Sequence, residues 1–340
     1  MKGVVYLGES RVEVREFPRP KPGPGMVVIE MKAAGLCGSD LHKYHNTQKW
    51  AEGREGMISG HEPTGIVAET GTYVKNVAVG DRVCVYHSIG CGHCPVCLAG
   101  TPVFCDHEGA FGRTLDGCHA DYMATEAKYC LPLPDEFSFA VGAQLACTAG
   151  TAFAALKKIP SRAGETVVIF GLGPVGLAAM LMSDALEYRT IAVDINPYRV
   201  ALAKRVGKGT VINGNETDAG DAVGELTQGT GAKGVIECSG SAAARSQAAA
   251  VAGLHGTVVY VGAGADTLCV DFLDILRKEL TFRGNSVYSI QEYFELVDFV
   301  RNHRVPLDEL VTHRFGIEQA PEAFSLFNSG ETGKTVFIWD

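Results

Sequence analysis

The sequence has no apolar run long enough to cross a bilayer. Its most apolar stretch, Val167 to Met182, is broken by three glycines and a proline, well short of the roughly 20 residues that a spanning helix needs. It has no cluster of lysine or arginine, and 30 basic against 39 acidic side chains leave a net charge of −9. Such a surface offers no footprint for nucleic acid or an anionic membrane. Met1 to Glu9 hold too short an apolar run for a secretory signal, so a cytoplasmic location is expected. That compartment keeps thiols reduced, so the eleven cysteines are not expected as disulfides, and clustered ones read first as metal ligands. With 46% hydrophobic and 20% charged residues, disorder is excluded and small-molecule chemistry is the class that remains.

At 340 residues the chain suits two domains. Residues 1–147 read as β-rich: Arg11–Glu16 alternates with period two, Pro20–Gly25 is a turn, and Met26–Ala34 is a strand that delivers Cys37. Short strands follow at Thr64–Glu69, Arg82–Tyr86 and His119–Ala124. From residue 148 strands and helices alternate, beginning with strand Thr166–Phe170, helix Pro174–Leu186, strand Thr190–Asp194 and helix Pro197–Val206. Further strands are expected at Val235–Cys238, Thr257–Gly262 and Leu280–Gly284, which implies an α/β fold with a doubly wound parallel sheet over 148–286. The tail, 287–340, with helices Ile290–Asn302 and Glu318–Phe327 and strand Thr335–Trp339, is assigned back to the first domain.

Four motifs carry chemistry. Thr166–Phe170 runs into Gly171-Leu172-Gly173-Pro174-Val175-Gly176 and then a helix, the context a dinucleotide-binding turn requires. The first glycine allows the tight turn, the second the approach of the pyrophosphate, and the third close helix-on-strand packing. The next strand ends in Asp194, where a carboxylate can accept ribose hydroxyls of NAD and repel the 2′-phosphate of NADP. Cys91, Cys94, Cys97 and Cys105 place four thiolates within 15 residues, enough for a closed structural zinc site. Cys37-Gly38-Ser39-Asp40-Leu41-His42 then offers a thiolate ligand, a hydroxyl that can pass a proton, a carboxylate able to orient a ligand and a titratable imidazole, and Gly60-His61-Glu62 adds further ligands.

These motifs, in this order and covering nearly the whole chain, resemble the zinc-containing medium-chain dehydrogenases of alcohols, polyols and threonine. The resemblance implies a GroES-like catalytic domain beside a Rossmann cofactor domain, NAD as cofactor, and two zinc ions per chain. It implies that Cys37 and His61 bind a catalytic zinc, with Cys147 as third ligand and Glu62 behind or on the metal; a site completed by Glu62 and water is the alternative. Gln144 stands where the polyol branch has a glutamate. Ser39 would take the alcohol proton and pass it by way of the cofactor ribose to His42, while Asp40 holds His61. Arg199 would flank the adenosine ribose, Lys334 would contact the pyrophosphate, and Val261 completes the cofactor set.

The expected reaction is hydride transfer from a small secondary alcohol to NAD, giving a ketone. His42, His45, Asn46 and His87, with the polar loop Asn46–Gly56, favour a hydroxylated or polyol-like substrate; walls of Trp50 and Phe111 would instead favour apolar primary or cyclic alcohols. A catalytically silent NAD-binding scaffold is the reading of another class, although no catalytic ligand is missing. Cys84, Cys118, Cys130, Cys238 and Cys269 are scattered singly and read as small buried residues. A homo-oligomer, dimer or tetramer, is implied through the sheet edge at Leu280–Ser286. Gly38 departs from those family members that carry a basic residue after the first zinc cysteine. Gly38→Arg is therefore expected to tighten NADH binding, and an unchanged dissociation constant in a direct titration would count against that.

Overall fold

A computed structural model describes residues 1–45, 56–264 and 270–339. They pack as two compact units: Met1–Gly150 with Ser289–Glu295 and Val311–Asp340, and Thr151–Tyr288 with Leu296–Leu310. The sequence placed all of 287–340 with the first. The helix Ile290–His303 accounts for the difference. At its start Ile290 N donates to Gly100 O at 2.9 Å and the Tyr293 hydroxyl to Pro132 O at 2.8 Å, within the first unit. Beyond Glu295 its side chains belong to the second, where Phe299 packs on Phe153 with ring centroids 5.3 Å apart.

The first unit is organised on the strand Met26–Gly35. It takes three antiparallel partners, Pro63–Thr70, Tyr122–Glu126 and Lys334–Ile338. Val311–Phe315 extends the sheet beyond Lys334–Ile338, and Arg82–Val85 and Cys130–Pro132 extend it on the other side. Paired this densely, the strand buries Val27, Val28, Ile29 and Met31 completely, and its half-buried Glu30 and Lys32 pair with each other at 2.7 Å. Its last residues are small. Ala34 pairs with both Pro63 and Phe337, so three strand ends converge just before Cys37. Gly35 leaves no room for a side chain, since a β-carbon there would lie 2.0 Å from Glu62 Oε2 and 2.7 Å from Lys334 Cε.

In the second unit six parallel strands lie in the order Thr210–Asn213, Arg189–Asp194, Thr166–Phe170, Ala232–Glu237, Ala252–Tyr260, Thr281–Gly284. The order reverses direction between Thr166–Phe170 and Ala232–Glu237, the switch point at which open sheets of this kind bind nucleotides. Thr166–Phe170 is buried along its whole length, which is why it reads as an unbroken β-branched and aromatic run. The helix Pro197–Val206 stands where the sequence put it, its start set by Asn196 accepting from Arg199 N at 3.2 Å. Among the described residues no single helix is long and apolar enough to cross a membrane.

His119 was expected to open a strand over His119–Ala124, but the strand is Tyr122–Glu126. The His119 backbone is used elsewhere: its N donates to Ser59 O at 2.9 Å and its O accepts from Val4 N at 2.8 Å. The ring is fully buried against Phe324 and Phe337. Its Nε2 donates to Gly35 O at 3.1 Å and its Nδ1 accepts from the Ser59 hydroxyl at 2.9 Å. A carbonyl can only accept, which fixes this neutral tautomer. Burial pushes the imidazole down from 6.5 to about 4. The unfolded chain therefore binds this proton at a higher pH than the folded one, and stability falls as pH drops through that window while none is lost above it. The full contribution is about 3 kcal/mol. His119→Gln, which keeps a donor and an acceptor but does not titrate, is expected to flatten the fall in thermal midpoint between pH 6.5 and 4; an unchanged slope would refute the assignment.

Candidate metal centres and cofactor site

The four cysteines of the loop lobe converge. The sulfurs of Cys91, Cys94, Cys97 and Cys105 all lie within 4.8 Å of one another, with Cys91 to Cys97 at 4.0 Å and Cys94 to Cys105 at 3.8 Å. A tetrahedral zinc with bonds of about 2.3 Å separates its sulfurs by about 3.8 Å, whereas a disulfide needs about 2.05 Å. Ten cysteines among the described residues are free thiols. The backbone is already shaped for anionic sulfur: Cys94 N donates to Cys91 Sγ, and Cys91 N and His107 N donate to Cys105 Sγ, each at 3.4 Å. Backbone N–H groups at His93 and Cys94 pull the Cys91 thiol down to about 6. The Tyr129 hydroxyl anchors the lobe by donating to Gly90 O at 3.0 Å and accepting from Gly90 N at 2.8 Å. The lobe fits a zinc ion and leaves no open position.

A second cluster gathers Cys37, His61, Glu62 and Cys147, whose ligand atoms also lie within 4.8 Å of one another. They come from three places in the fold. Cys37 precedes the helix Gly38–His45, His61 and Glu62 precede the strand Pro63–Thr70, and Cys147 sits between the helices Phe139–Leu145 and Thr148–Lys157. Asp40 is fully buried behind them, with Oδ1 3.2 Å from His61 Nδ1 and Oδ2 accepting from Cys37 N at 2.9 Å. The Tyr6 hydroxyl also donates to Oδ1 at 2.9 Å. Burial opposes both charges in this pair, yet each offsets the other, so that Asp40 is held well below the usual carboxylate range and His61 is raised to about 10. The Cys37 thiol is lowered by its hydrogen bond from Cys147 and by His61. With Nδ1 turned to Asp40, Nε2 of His61 faces the Ser39 hydroxyl at 3.3 Å. Two sulfurs and an imidazole form a donor set suited to zinc, and metal binding would displace their protons.

Glu62 does not stand open beside these donors. Its Oε1 accepts from the Thr148 hydroxyl at 2.9 Å and its Oε2 pairs with the Lys334 ammonium. Lys334 also donates to Leu36 O at 2.9 Å and to Thr148 Oγ1 at 2.8 Å. This corrects the expectation for Lys334, a pyrophosphate contact: the side chain is fully buried and its charge is committed to Glu62. Burial raises the Glu62 carboxyl to about 7 even with Lys334 working against it.

Of the polar residues expected around the substrate, His42, His45 and His87 are described, and of these three His87 is brought to the cluster. It is buried, its ring centroid is 5.3 Å from that of His61, and its Nδ1 donates to Ala146 O at 3.1 Å. Burial and the neighbouring His61 charge push it down to about 4, so it is neutral and Nε2 carries a lone pair. His42 is exposed, and His45 is exposed and bonded to the Ser10 hydroxyl at 2.9 Å. Asn46, Trp50 and Cys269 lie outside the described residues. Phe111 lines a cavity of about 610 Å³ with Ile89, Leu115 and Met123, and none of the four clustered ligand residues lines it.

In the second unit the glycine turn has the expected shape. Gly171 has φ +84°, and a β-carbon on it would lie 2.7 Å from Ser239 N. On Gly176 it would lie 1.8 Å from Gly171 O, while on Gly173 it would meet nothing within 4 Å. That open space at the N-terminus of the helix Pro174–Ala185, with Val175 half-buried beside it, is a cradle suited to a phosphate. Asp194 ends the neighbouring strand with Oδ2 accepting from Leu172 N at 2.5 Å and Oδ1 from Asn196 N at 2.8 Å. Arg199, half-buried, follows on the next helix, and Val261 is held by its N donating to Glu237 O at 2.8 Å. Tyr6, Thr148 and Glu237 went unnoticed in the sequence. Thr148 had the signal of standing next to Cys147; Tyr6 and Glu237 had no metal-ligand or glycine spacing around them.

Comparison with known proteins agrees with this arrangement. Residues 23–135 match the alcohol dehydrogenase GroES-like domain and residues 174–302 the zinc-binding dehydrogenase family. The chain is 37% identical to an uncharacterised zinc-type alcohol dehydrogenase-like protein of Escherichia coli (strain K12), over 97% of each. It is 34% identical to an L-threonine 3-dehydrogenase of Pyrococcus horikoshii, over 96% of this chain and 94% of that one. The solved structure of an alcohol dehydrogenase from Thermus sp. ATN1 superimposes with a TM-score of 0.91 at 28% identity, over 99% of both chains. Two ligand clusters, a dinucleotide turn and full-length similarity together show that the chain belongs to the zinc-containing medium-chain dehydrogenase family and is an oxidoreductase.

Proposed function

We propose that the protein is an NAD-dependent zinc dehydrogenase that oxidises a small secondary alcohol bearing a further polar group, giving a ketone. The observation that carries this is the clustering of Cys37, His61 and Cys147 with Asp40 behind His61 and the neutral His87 beside it. Zinc bound there would polarise the alcohol oxygen, and NAD would accept the hydride.

The protein's own groups divide the remaining work. Cys37, His61 and Cys147 would hold the metal, and Asp40 fixes the orientation of His61 from its Nδ1 side. Glu62 is tied to Thr148 and Lys334, and supplies a compensated charge at the edge of the site rather than a bond to the metal. Ser39 Oγ would take the alcohol proton while passing its own, by way of the cofactor ribose, to the exposed imidazole of His42, which releases it to solvent. His87 Nε2 accepts from a second hydroxyl or amine of the substrate. The similarity to a threonine dehydrogenase supports a substrate of that polarity. Cys91, Cys94, Cys97 and Cys105 would hold a second zinc that staples their loop.

Gly171, Gly173, Pro174, Val175 and Gly176 receive the pyrophosphate. Asp194, Arg199 and Val261 line the rest of the cofactor site, with Asp194 selecting NAD over NADP. Among the described residues the strand Thr281–Gly284 has one sheet neighbour and is mostly exposed, which supports assembly of like subunits through that edge. The free thiols support a reducing, cytoplasmic setting.

Purified zinc-replete protein is expected to contain about two zinc ions per chain. It is expected to reduce NAD with diols, polyols or hydroxy amino acids far better than with apolar alcohols, and to lose turnover on chelation. One zinc per chain and silence across the panel would favour the scaffold. His87→Phe is expected to lower kcat/KM for the polar substrate by roughly 100-fold, because an acceptor built for a substrate N–H or O–H discriminates strongly. Equal kcat/KM for polar and apolar alcohols in the wild type would refute the polar pocket.

A further inference from the structure

The C-terminal end of an interior strand of the parallel sheet holds a buried carboxylate with no part in the chemistry above. Glu237 ends the strand Ala232–Glu237 and is fully buried. Its Oε1 accepts three hydrogen bonds, from Ser239 N at 2.7 Å, the Ser239 hydroxyl at 2.5 Å and Gly240 N at 2.9 Å. Its backbone O accepts from Val261 N at 2.8 Å and Gly262 N at 2.9 Å. Oε2 has no hydrogen-bond partner among the described residues and lies 3.9 Å from Arg245 Nε, while the Arg245 guanidinium donates to Gly262 O at 3.0 Å. One residue thus ties the turn after its own strand to the turn after the next.

Both turns touch the glycine turn or each other through bare backbone. A β-carbon on Gly171 would lie 2.7 Å from Ser239 N, one on Gly262 would lie 2.1 Å from Gly240 N, and one on Gly240, at φ +73°, would lie 2.5 Å from Ala263 O. With no side chain between them, Ser239 and Gly240 cannot shift without moving Gly171 or Gly262. A turn alone needs no buried carboxylate, because a serine or asparagine side chain closes such turns at less desolvation cost. The carboxylate makes charge-assisted bonds, roughly twice as strong as neutral ones.

We propose that Glu237 is a positioning residue of the cofactor site, clamping Ser239–Gly240 between Gly171 and Gly262 and so setting the surface on which the nicotinamide dinucleotide lies. This rests on the NAD reading given above. The glutamate acts through backbone and touches no reacting atom.

The test is a calorimetric titration of zinc-loaded wild type, Glu237→Gln and Glu237→Ala with NADH, with zinc content and thermal midpoint followed in parallel. Gln keeps an acceptor without the charge and is expected to weaken NADH about fivefold to tenfold; Ala loses all three bonds and is expected to weaken it about 50-fold or more. At saturating cofactor, kcat and the alcohol KM are expected to stay within about twofold, a split that general loss of structure does not produce. Unchanged NADH affinity in both variants, with wild type binding normally, overturns this proposal alone. A Gln variant that loses zinc, thermal midpoint and NADH affinity together also overturns it, by making the residue merely structural. Failure of wild type to bind either NADH or NADPH overturns the dinucleotide reading itself.

Discussion

A carboxylate with no access to water must be neutralised by its neighbours, and Asp40 is the place where this requirement shapes the first unit. Its partners come from three separate segments: Tyr6 on the strand Lys2–Gly8, the Cys37 backbone at the head of a helix, and His61 ahead of a central strand. Leaving any of them unmade would strand a buried charge, at a cost of several kcal/mol. The two residues that most need fixed positions, Cys37 and His61, are thereby placed by the same group. Second-neighbour carboxylates of this kind set both the tautomer and the donor strength of a metal-binding imidazole.

Glu62 and Lys334 repeat the logic one step further out. Both are fully buried, and a buried ion pair is a weak source of stability because desolvation consumes most of the attraction. Its value here lies in specificity of arrangement. The lysine ammonium, the glutamate carboxylate, the Thr148 hydroxyl and Leu36 O close on one another, and only one registration of the strand Lys334–Ile338 against Met26–Gly35 satisfies them. Gly35 is the other half of that fit, because any larger residue would occupy the space of the pair.

The sequence revealed those parts of the site whose signal is local. Four cysteines within one loop, a glycine turn after a buried strand, and a carboxylate at the end of the following strand are each readable because the chemistry dictates the spacing. The parallel sheet was legible from the alternation of apolar runs and helical segments, with strand ends misjudged by a few residues at Ala252–Tyr260 and Tyr122–Glu126. What stayed hidden depends on long-range pairing. Nothing near Lys334 shows that its partner is Glu62 rather than a phosphate, and nothing near Tyr6 announces Asp40. The helix Ile290–His303 was assigned whole because its amphipathic pattern is continuous, although its two ends pack in different cores.

The bond between Leu36 and Lys334 spans 298 residues of chain. A polypeptide emerging from the ribosome therefore carries Cys37, His61 and Cys147 long before the cation that compensates Glu62 exists, whereas nearly all of the parallel-sheet unit is one continuous segment. Contacts of such separation form late and slowly. The order of assembly follows: the nucleotide-type sheet can be complete while the metal-binding sheet still lacks the strand Lys334–Ile338 beside its central strand, and that half of the molecule is where a folding chain stays vulnerable longest to wrong thiol pairing and premature metal capture.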